Sequence, residues 1–388
     1  MDAYSITALA LQTPGFEGRT GLPVLLIGPP GGGKSSKIRA IGRSLQLPVE
    51  TLIASIHDPT DFSGLGFVSD GELKMHILPA FQRLITAGQG IFFLDELSNA
   101  PRSVQAALLR VLLEGYVGDV ELPPGVRPVL AMNGQDTAAD GQMLVQPLIG
   151  RVIQIPAPDP TPAGHADYLL SASAKSRMPD PEVPVLNLAR FDECFRDVAA
   201  LYSAYIARRE GALRDEPKDE VLAQQPHRTP RSWELGLRGF AAGRAIGSDY
   251  ASNVLLAGAI GDGAAAEFCR WVKENDLEDP REILANPKAW VPNTKKLDRL
   301  HATLFALAQE AGTGTVPAGL KHAEYADRAY MCFLKLRGDD AFDVGVPAIL
   351  RLNRLLGDKG VLMLSMPNRI ACNAVLEPFT ATQTAGRA

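Results

Sequence analysis

The reading of this chain turns on 28-GPPGGGKSS-36. A short apolar run, Val24–Ile27, precedes it, and a segment with helical spacing, 35–45, follows. Gly28, four further residues, then Gly33, Lys34 and Ser35 satisfy the pattern G-x-x-x-x-G-K-[ST]. Glycines let successive backbone N–H groups turn inward around an anion, where side chains would block the approach. Lys34 can reach the outer phosphates of a nucleotide, and the Ser35 hydroxyl is placed to ligate Mg²⁺. The helix from Ser35 directs the positive end of its dipole at the same anion. Pro29, Pro30, Gly31, Gly32 and Ser36 complete the loop. A glycine-rich turn without a ligand is the plain alternative. The strand before the loop and the helix after it favour the phosphate.

A second element lies some sixty residues downstream. The run 90-GIFFLDEL-97 is apolar until two adjacent carboxylates, the pattern of a strand buried on both faces of a parallel sheet. Asp95 can hold Mg²⁺ through water, and Glu96 can polarise a water for attack on a γ-phosphate. Two idle carboxylates at a strand end are the alternative, and the phosphate loop upstream counts against it. Asn133 ends a third apolar strand, 126-VRPVLAMN-133, where a polar group lies beside the phosphate; an ordinary Asn-Gly turn is the competing reading. Arg151, which opens the strand 151–155, and Arg231, which follows 227-HRTP-230, are candidates to stabilise charge on the γ-phosphoryl. For each, a surface salt bridge is the alternative.

Strands alternating with helices over 1–156 indicate an open parallel sheet with helices on both faces. Helices are expected at 5–12, 78–88 and 103–115, the last stopped by Gly115. The proline-rich 156-PAPDPTPAG-164 reads as a linker. Beyond it helical composition dominates, at 165–172, 189–212, 231–247, 251–275, 296–311, 318–337 and 342–356. The polar segment 214–230 reads as a loop. The domain organisation expected is an α/β nucleotide-binding core at 1–156, an α-helical lid at 157–250 and a helical C-terminal extension at 251–388.

Composition bounds the rest. Among 388 residues, 46% are hydrophobic and 21% charged, enough for a sizeable core. The net charge of −5 speaks against a broad nucleic-acid surface. Cys194, Cys269, Cys332 and Cys372 have no metal or redox spacing and read as buried thiols of a reducing compartment. No basic leader opens the chain, and no apolar run approaches the roughly 20 residues of a membrane span. A cytoplasmic protein is the expectation.

In this order the motifs resemble those of the AAA+ ATPases. The resemblance gives Walker A at 28–35, Walker B at 91–96, sensor 1 at Asn133, an arginine finger at Arg151 and sensor 2 at Arg231. Within that superfamily the chain resembles the MoxR family with its CbbQ/NorQ-type members, a helix-2 insert clade. The resembling stretches are 58-DPTDFSG-64, 94-LDELSNAPRSVQAALLRVLLEG-115 and the Thr-Pro-Arg opening of a lid helix. The segment 66–77 reads as a hairpin with an Asp70-Gly71 turn at the position of that insert, and a second hairpin precedes the Asn133 strand. The chain departs from the family at Gly134, where proline is common, and at Gly150, where an acidic or amide residue is usual.

The resemblance implies ATP and Mg²⁺ as ligands and a homo-hexameric ring that remodels or activates a client protein, with a von Willebrand factor A domain protein as partner. A motor acting on nucleic acid, a metal-chelatase-type ATPase subunit and a nucleotide-dependent scaffold are the competing readings. The acidic balance speaks against the motor, and Glu96 against the scaffold.

Overall fold

The computed structural model describes all residues except 70–71, 135–142, 172–180, 182, 216, 275–277, 315, 338–340, 359–365 and 386–388. The Asp70-Gly71 turn expected from the sequence lies outside the described residues.

The chain opens with α1 (Ala3–Gln12), which starts two residues earlier than its apolar spacing suggests. The reason is Asp2, whose carboxylate accepts the Ser5 N–H at 2.8 Å and caps the helix. Then come β1 (Val24–Ile27), α2 (Lys34–Ser44), β2 (Val49–Ile53) and the short α3 (Pro59–Ser63). A ribbon of β3 (Leu65–Ser69) and β4 (Glu72–His76) leads to α4 (Pro79–Ala87), β5 (Gln89–Asp95) and α5 (Arg102–Leu113). A second small ribbon, β6 (Tyr116–Val117) with β7 (Val120–Glu121), precedes β8 (Gly125–Met132), α6 (Gln146–Ile149) and β9 (Ile153–Pro156).

The five long strands form one parallel sheet in the order β2-β5-β8-β1-β9. Its centre explains the apolar run in the sequence: Ile91, Phe92, Phe93 and Leu94 are all buried, as a strand covered on both faces requires. On one face Phe92 packs on Phe81 of α4 (centroids 5.0 Å apart), and Phe81 on Phe62 of α3 (6.3 Å). The DPTDFSG stretch thus has a structural content. Asp58 caps α3 in a reciprocal box with Asp61, Pro59 starts the helix, and Phe62 is driven into the core. The ribbon that follows divides: Ile77 at its base is buried, while Leu65, Phe67 and Val68 are exposed, Val68 by 74%.

The remaining helices are α7 (Pro162–Ser171), α8 (Leu188–Arg208), α9 (Pro230–Ala245), α10 (Asp249–Ile260), α11 (Asp262–Glu274), α12 (Pro280–Ala285), α13 (Leu297–Thr313), α14 (His322–Leu334), α15 (Phe342–Asp358) and α16 (Pro367–Ala385). Two compact units result. The first comprises Met1–Phe195 and Gly211–Ala266; the second comprises Arg196–Glu210 and Glu267–Ala388. The core of the second unit is built from α13, α14, α15 and α16 with Ile283, Leu284 and Trp290, and includes the buried Cys332 and Cys372. Buried Glu310 is paired there with Arg281 at 3.5 Å and Arg196 at 3.8 Å.

Three helix readings change. The single helix expected at 251–275 is two, broken at Gly261 (φ +90°), where a side chain would come within 2.7 Å of the Pro226 carbonyl. Helices α12 and α16 were absent from the sequence reading. The first has six residues and buries little beyond Ile283 and Leu284, and the second is polar along much of its length, anchored by Cys372 and Leu376. Both open on proline, the signal that marks them. No described helix is long and apolar enough to cross a membrane.

Candidate functional site

Parallel register brings the motifs to one edge of the sheet. Ile27 pairs with Met132, Leu94 with Leu130 and Asp95 with Ile53. The next residues of each strand, Gly28, Asn133, Glu96 and Ala54, therefore leave the sheet at its carboxyl edge, the usual ligand position in open α/β sheets.

The loop between β1 and α2 is shaped by glycine. Gly31 and Gly33 have φ of +81° and +79°, and a side chain at either would meet nothing within 4 Å. Glycine is required there by backbone conformation, and the loop has open space on that side. Gly28 is different: a Cβ would lie 2.0 Å from the Ala157 carbonyl oxygen, so the loop passes too close to the end of β9 for any side chain. Gly33 caps α2, whose first N–H groups have no partner within the helix.

Lys34 is 8% exposed. Its ammonium donates to the Gly28 and Pro29 carbonyls, both at 2.9 Å, and to Asn133 Oδ1 at 3.3 Å. Burial lowers its pKa, partly offset by Asp95 and Asp159. The Ser35 hydroxyl donates to the Asp95 carboxylate. The other Asp95 oxygen accepts the Glu96 N–H at 2.9 Å. Glu96 has φ +57°, a left-handed conformation uncommon for a side-chain-bearing residue, and its carboxylate accepts from Ser55 Oγ at 3.0 Å. Ser55 went unremarked in the sequence; it lies just beyond β2, and only strand register reveals the contact. Asp159, also unremarked, stands 3.1 Å from the Cβ position of Gly32.

The donor set fits a triphosphate with a hard cation. An open glycine loop, a buried lysine and a helix start suit phosphate oxygens. The Ser35 hydroxyl and Asp95 carboxylate, already joined, are the oxygen ligands a magnesium ion accepts.

Arg151 and Arg231 stand together elsewhere in the same unit, in a cleft of about 560 Å³ between α6 and the start of α9. None of residues 28–36 lines it. Arg231 is carried by a well-formed helix start, with Thr229 and Ser232 in a capping box and Pro230 at the first position. Arg151 donates to the Pro147 carbonyl, while its Nε is buried without a partner. Burial lowers its pKa, and the nearby Arg231 lowers it further. The backbone here is pinned by two glutamines that sequence inspection passed over. Gln105 accepts the Val145 N–H at 2.9 Å, and Gln224 accepts the Leu144 N–H at 2.8 Å.

A five-stranded parallel sheet with a glycine-lysine loop after β1, an acidic pair after β5 and a polar residue after β8 defines a P-loop ATPase domain of the AAA+ type. Residues 23–148 match the family model of the AAA domain (dynein-related subfamily). The human ATPase family gene 2 protein homolog B is 33% identical over 129 residues, covering 30% of this chain and 15% of the human protein. The chain thus spans well under a fifth of that relative's length. A crystal structure of a candidate ATPase from Cytophaga hutchinsonii superposes with a TM-score of 0.43 at 12% identity, covering 70% of this chain and 87% of the other.

Proposed function

We propose that the protein hydrolyses ATP at the carboxyl edge of its sheet and uses the energy to remodel or activate a client protein. The observation that carries this reading is the convergence of four groups from three separate strand ends: Lys34 bonded to Asn133, and Ser35 bonded to Asp95. In this reading residues 28–36 hold the phosphates, with Lys34 on the outer ones. Ser35 and Asp95 would hold magnesium, which supplies Lewis-acid polarisation of the phosphoryl oxygens when bound. Glu96 accepts the proton of the attacking water. Asn133 orients that water or the terminal phosphate. Arg151 and Arg231 neutralise charge that builds on the γ-phosphoryl.

The finer reading is a MoxR-like protein in a homo-hexameric ring, with 1–156 as core, 157–250 as lid and 251–388 as an extension, working with a von Willebrand factor A domain partner. The exposed Leu65, Phe67 and Val68 on the β3–β4 ribbon support a client-facing role for that element.

Phosphate release from ATP by the purified chain tests the core of the proposal. Turnover that requires magnesium and disappears in Lys34→Ala supports it, and no turnover by the folded chain overturns it. Proteins that copurify with Glu96→Gln held in ATP identify the client; DNA-stimulated turnover would instead favour a nucleic-acid motor.

A further inference from the structure

The cleft that holds Arg151 and Arg231 contains a third arginine, Arg214. His227 and Thr229 also line it, and no carboxylate does among the described residues. Three guanidinium groups at one cleft repel one another, and part of the Arg151 group is already out of water. An anion relieves both costs.

Arg214 lies on the irregular stretch between α8 and α9, where a side chain ordinarily wanders. Here the backbone is fixed on both sides of it. The Ala212 carbonyl accepts the Trp233 Nε1–H at 2.9 Å, and Trp233 is buried. The Asp215 N–H donates to the Arg228 carbonyl at 2.9 Å, and the two side chains pair at 3.0 Å. All the anchor partners belong to the segment that launches α9. Wherever Arg231 is carried, Arg214 goes with it.

The chemistry of the cleft selects its ligand. Arginine forks match phosphate oxygens two at a time, and three of them suit a polyphosphate better than a single carboxylate. The chain's own phosphate loop does not line the cleft. We propose that Arg214 is a third phosphate-binding arginine, acting with Arg151 and Arg231 on the terminal phosphates of a nucleoside triphosphate held by a second copy of this chain. The inference rests on the ATPase reading above and adds a residue and a direction to it.

The experiment begins from Lys34→Ala, which disables the chain's own phosphate loop. Tripolyphosphate is titrated into this protein at low ionic strength by calorimetry, alone and combined with Arg214→Ala or Arg214→Lys. The expected result is measurable binding by Lys34→Ala, weakened about tenfold or more by Arg214→Ala and less by Arg214→Lys, with unchanged thermal midpoints. No binding by Lys34→Ala, or equal binding with and without Arg214, overturns the proposal. The direction is tested by mixing Arg214→Ala with Lys34→Ala subunits. ATP turnover above that of either parent supports donation to a second copy, and no recovery in assemblies shown to be mixed overturns it. The ATPase reading is judged separately, by wild-type turnover. It can stand while Arg214 proves inert, and a cleft that binds tripolyphosphate through Arg214 can survive its failure.

Discussion

The Lys34 ammonium lies 3.3 Å from Asn133 Oδ1, so a single hydrogen bond ties the phosphate loop to the end of β8. Together with the Gly28 and Pro29 carbonyls this gives the ammonium three neutral acceptors for its three donors. A phosphate would replace neutral acceptors with charged ones, a stronger interaction in a buried setting. Lys34→Ala should therefore lower ATP affinity by about a hundredfold or more, since it removes the charged partner of the outer phosphates. Asn133→Ala should slow turnover about tenfold or more while changing affinity less. Fluorescent-nucleotide titration and phosphate release measure the two effects. Unaltered affinity in folded Lys34→Ala would remove the loop from the site.

Glu96 sits in a left-handed backbone conformation with Ser55 on its carboxylate. Glu96→Gln keeps the shape and the Ser55 contact but cannot take a proton. ATP should still bind, and turnover should fall by about a hundredfold or more, the usual size of general-base assistance. Single-turnover hydrolysis at saturating ATP measures this, and near wild-type rates would point to another residue as the base.

Arg151 lines a cleft apart from residues 28–36. If it serves a neighbouring subunit, Arg151→Ala disables that neighbour's site, while Lys34→Ala disables its own. Mixing the two should restore part of the turnover that both lack alone. Titrating one into the other at fixed total protein gives the curve, and a flat line in assemblies shown to be mixed excludes action across the interface.

The aromatic contacts of α3 and the exposed ribbon separate stability from interaction. Phe62 is buried against Phe81, so Phe62→Ala should cost about 3–5 kcal/mol. Phe67→Ser and Val68→Ser alter exposed positions and should each change stability by under about 0.5 kcal/mol, leaving basal ATP turnover intact. Urea unfolding reads both. A large loss from the ribbon variants would mean these groups are packed in the assembled protein.

Burial raises the Cys332 and Cys372 thiols from an ordinary value of 9.0 to about 12. Between those values the unfolded chain has released these protons and the folded chain retains them, so stability is full below pH 9 and falls as pH rises toward 12. The unfolding midpoint should drop over that window, and less steeply in Cys332→Ala/Cys372→Ala. Iodoacetamide at pH 8 should modify the half-buried Cys269 well before either of them.

The amino-acid pattern by itself determined the parallel sheet and much of the phosphate site. Local rules suffice there. Glycines at 28–33 require special backbone, Phe92–Leu94 require burial on two faces, and a lysine at a helix start requires an anion. The same rules located most helices, and faltered where a helix is short or polar, as at 280–285 and 367–385. Only the tertiary structure decided which distant groups meet. Register placed Ser55 on Glu96 and Asn133 on Lys34, pairs 41 and 99 residues apart. Two anchors on the launch of α9 brought Arg214 to Arg231 and Arg151. Such contacts depend on strand order, chain crossings and side-chain direction summed over the whole fold, and none of these leaves a periodic mark in the sequence.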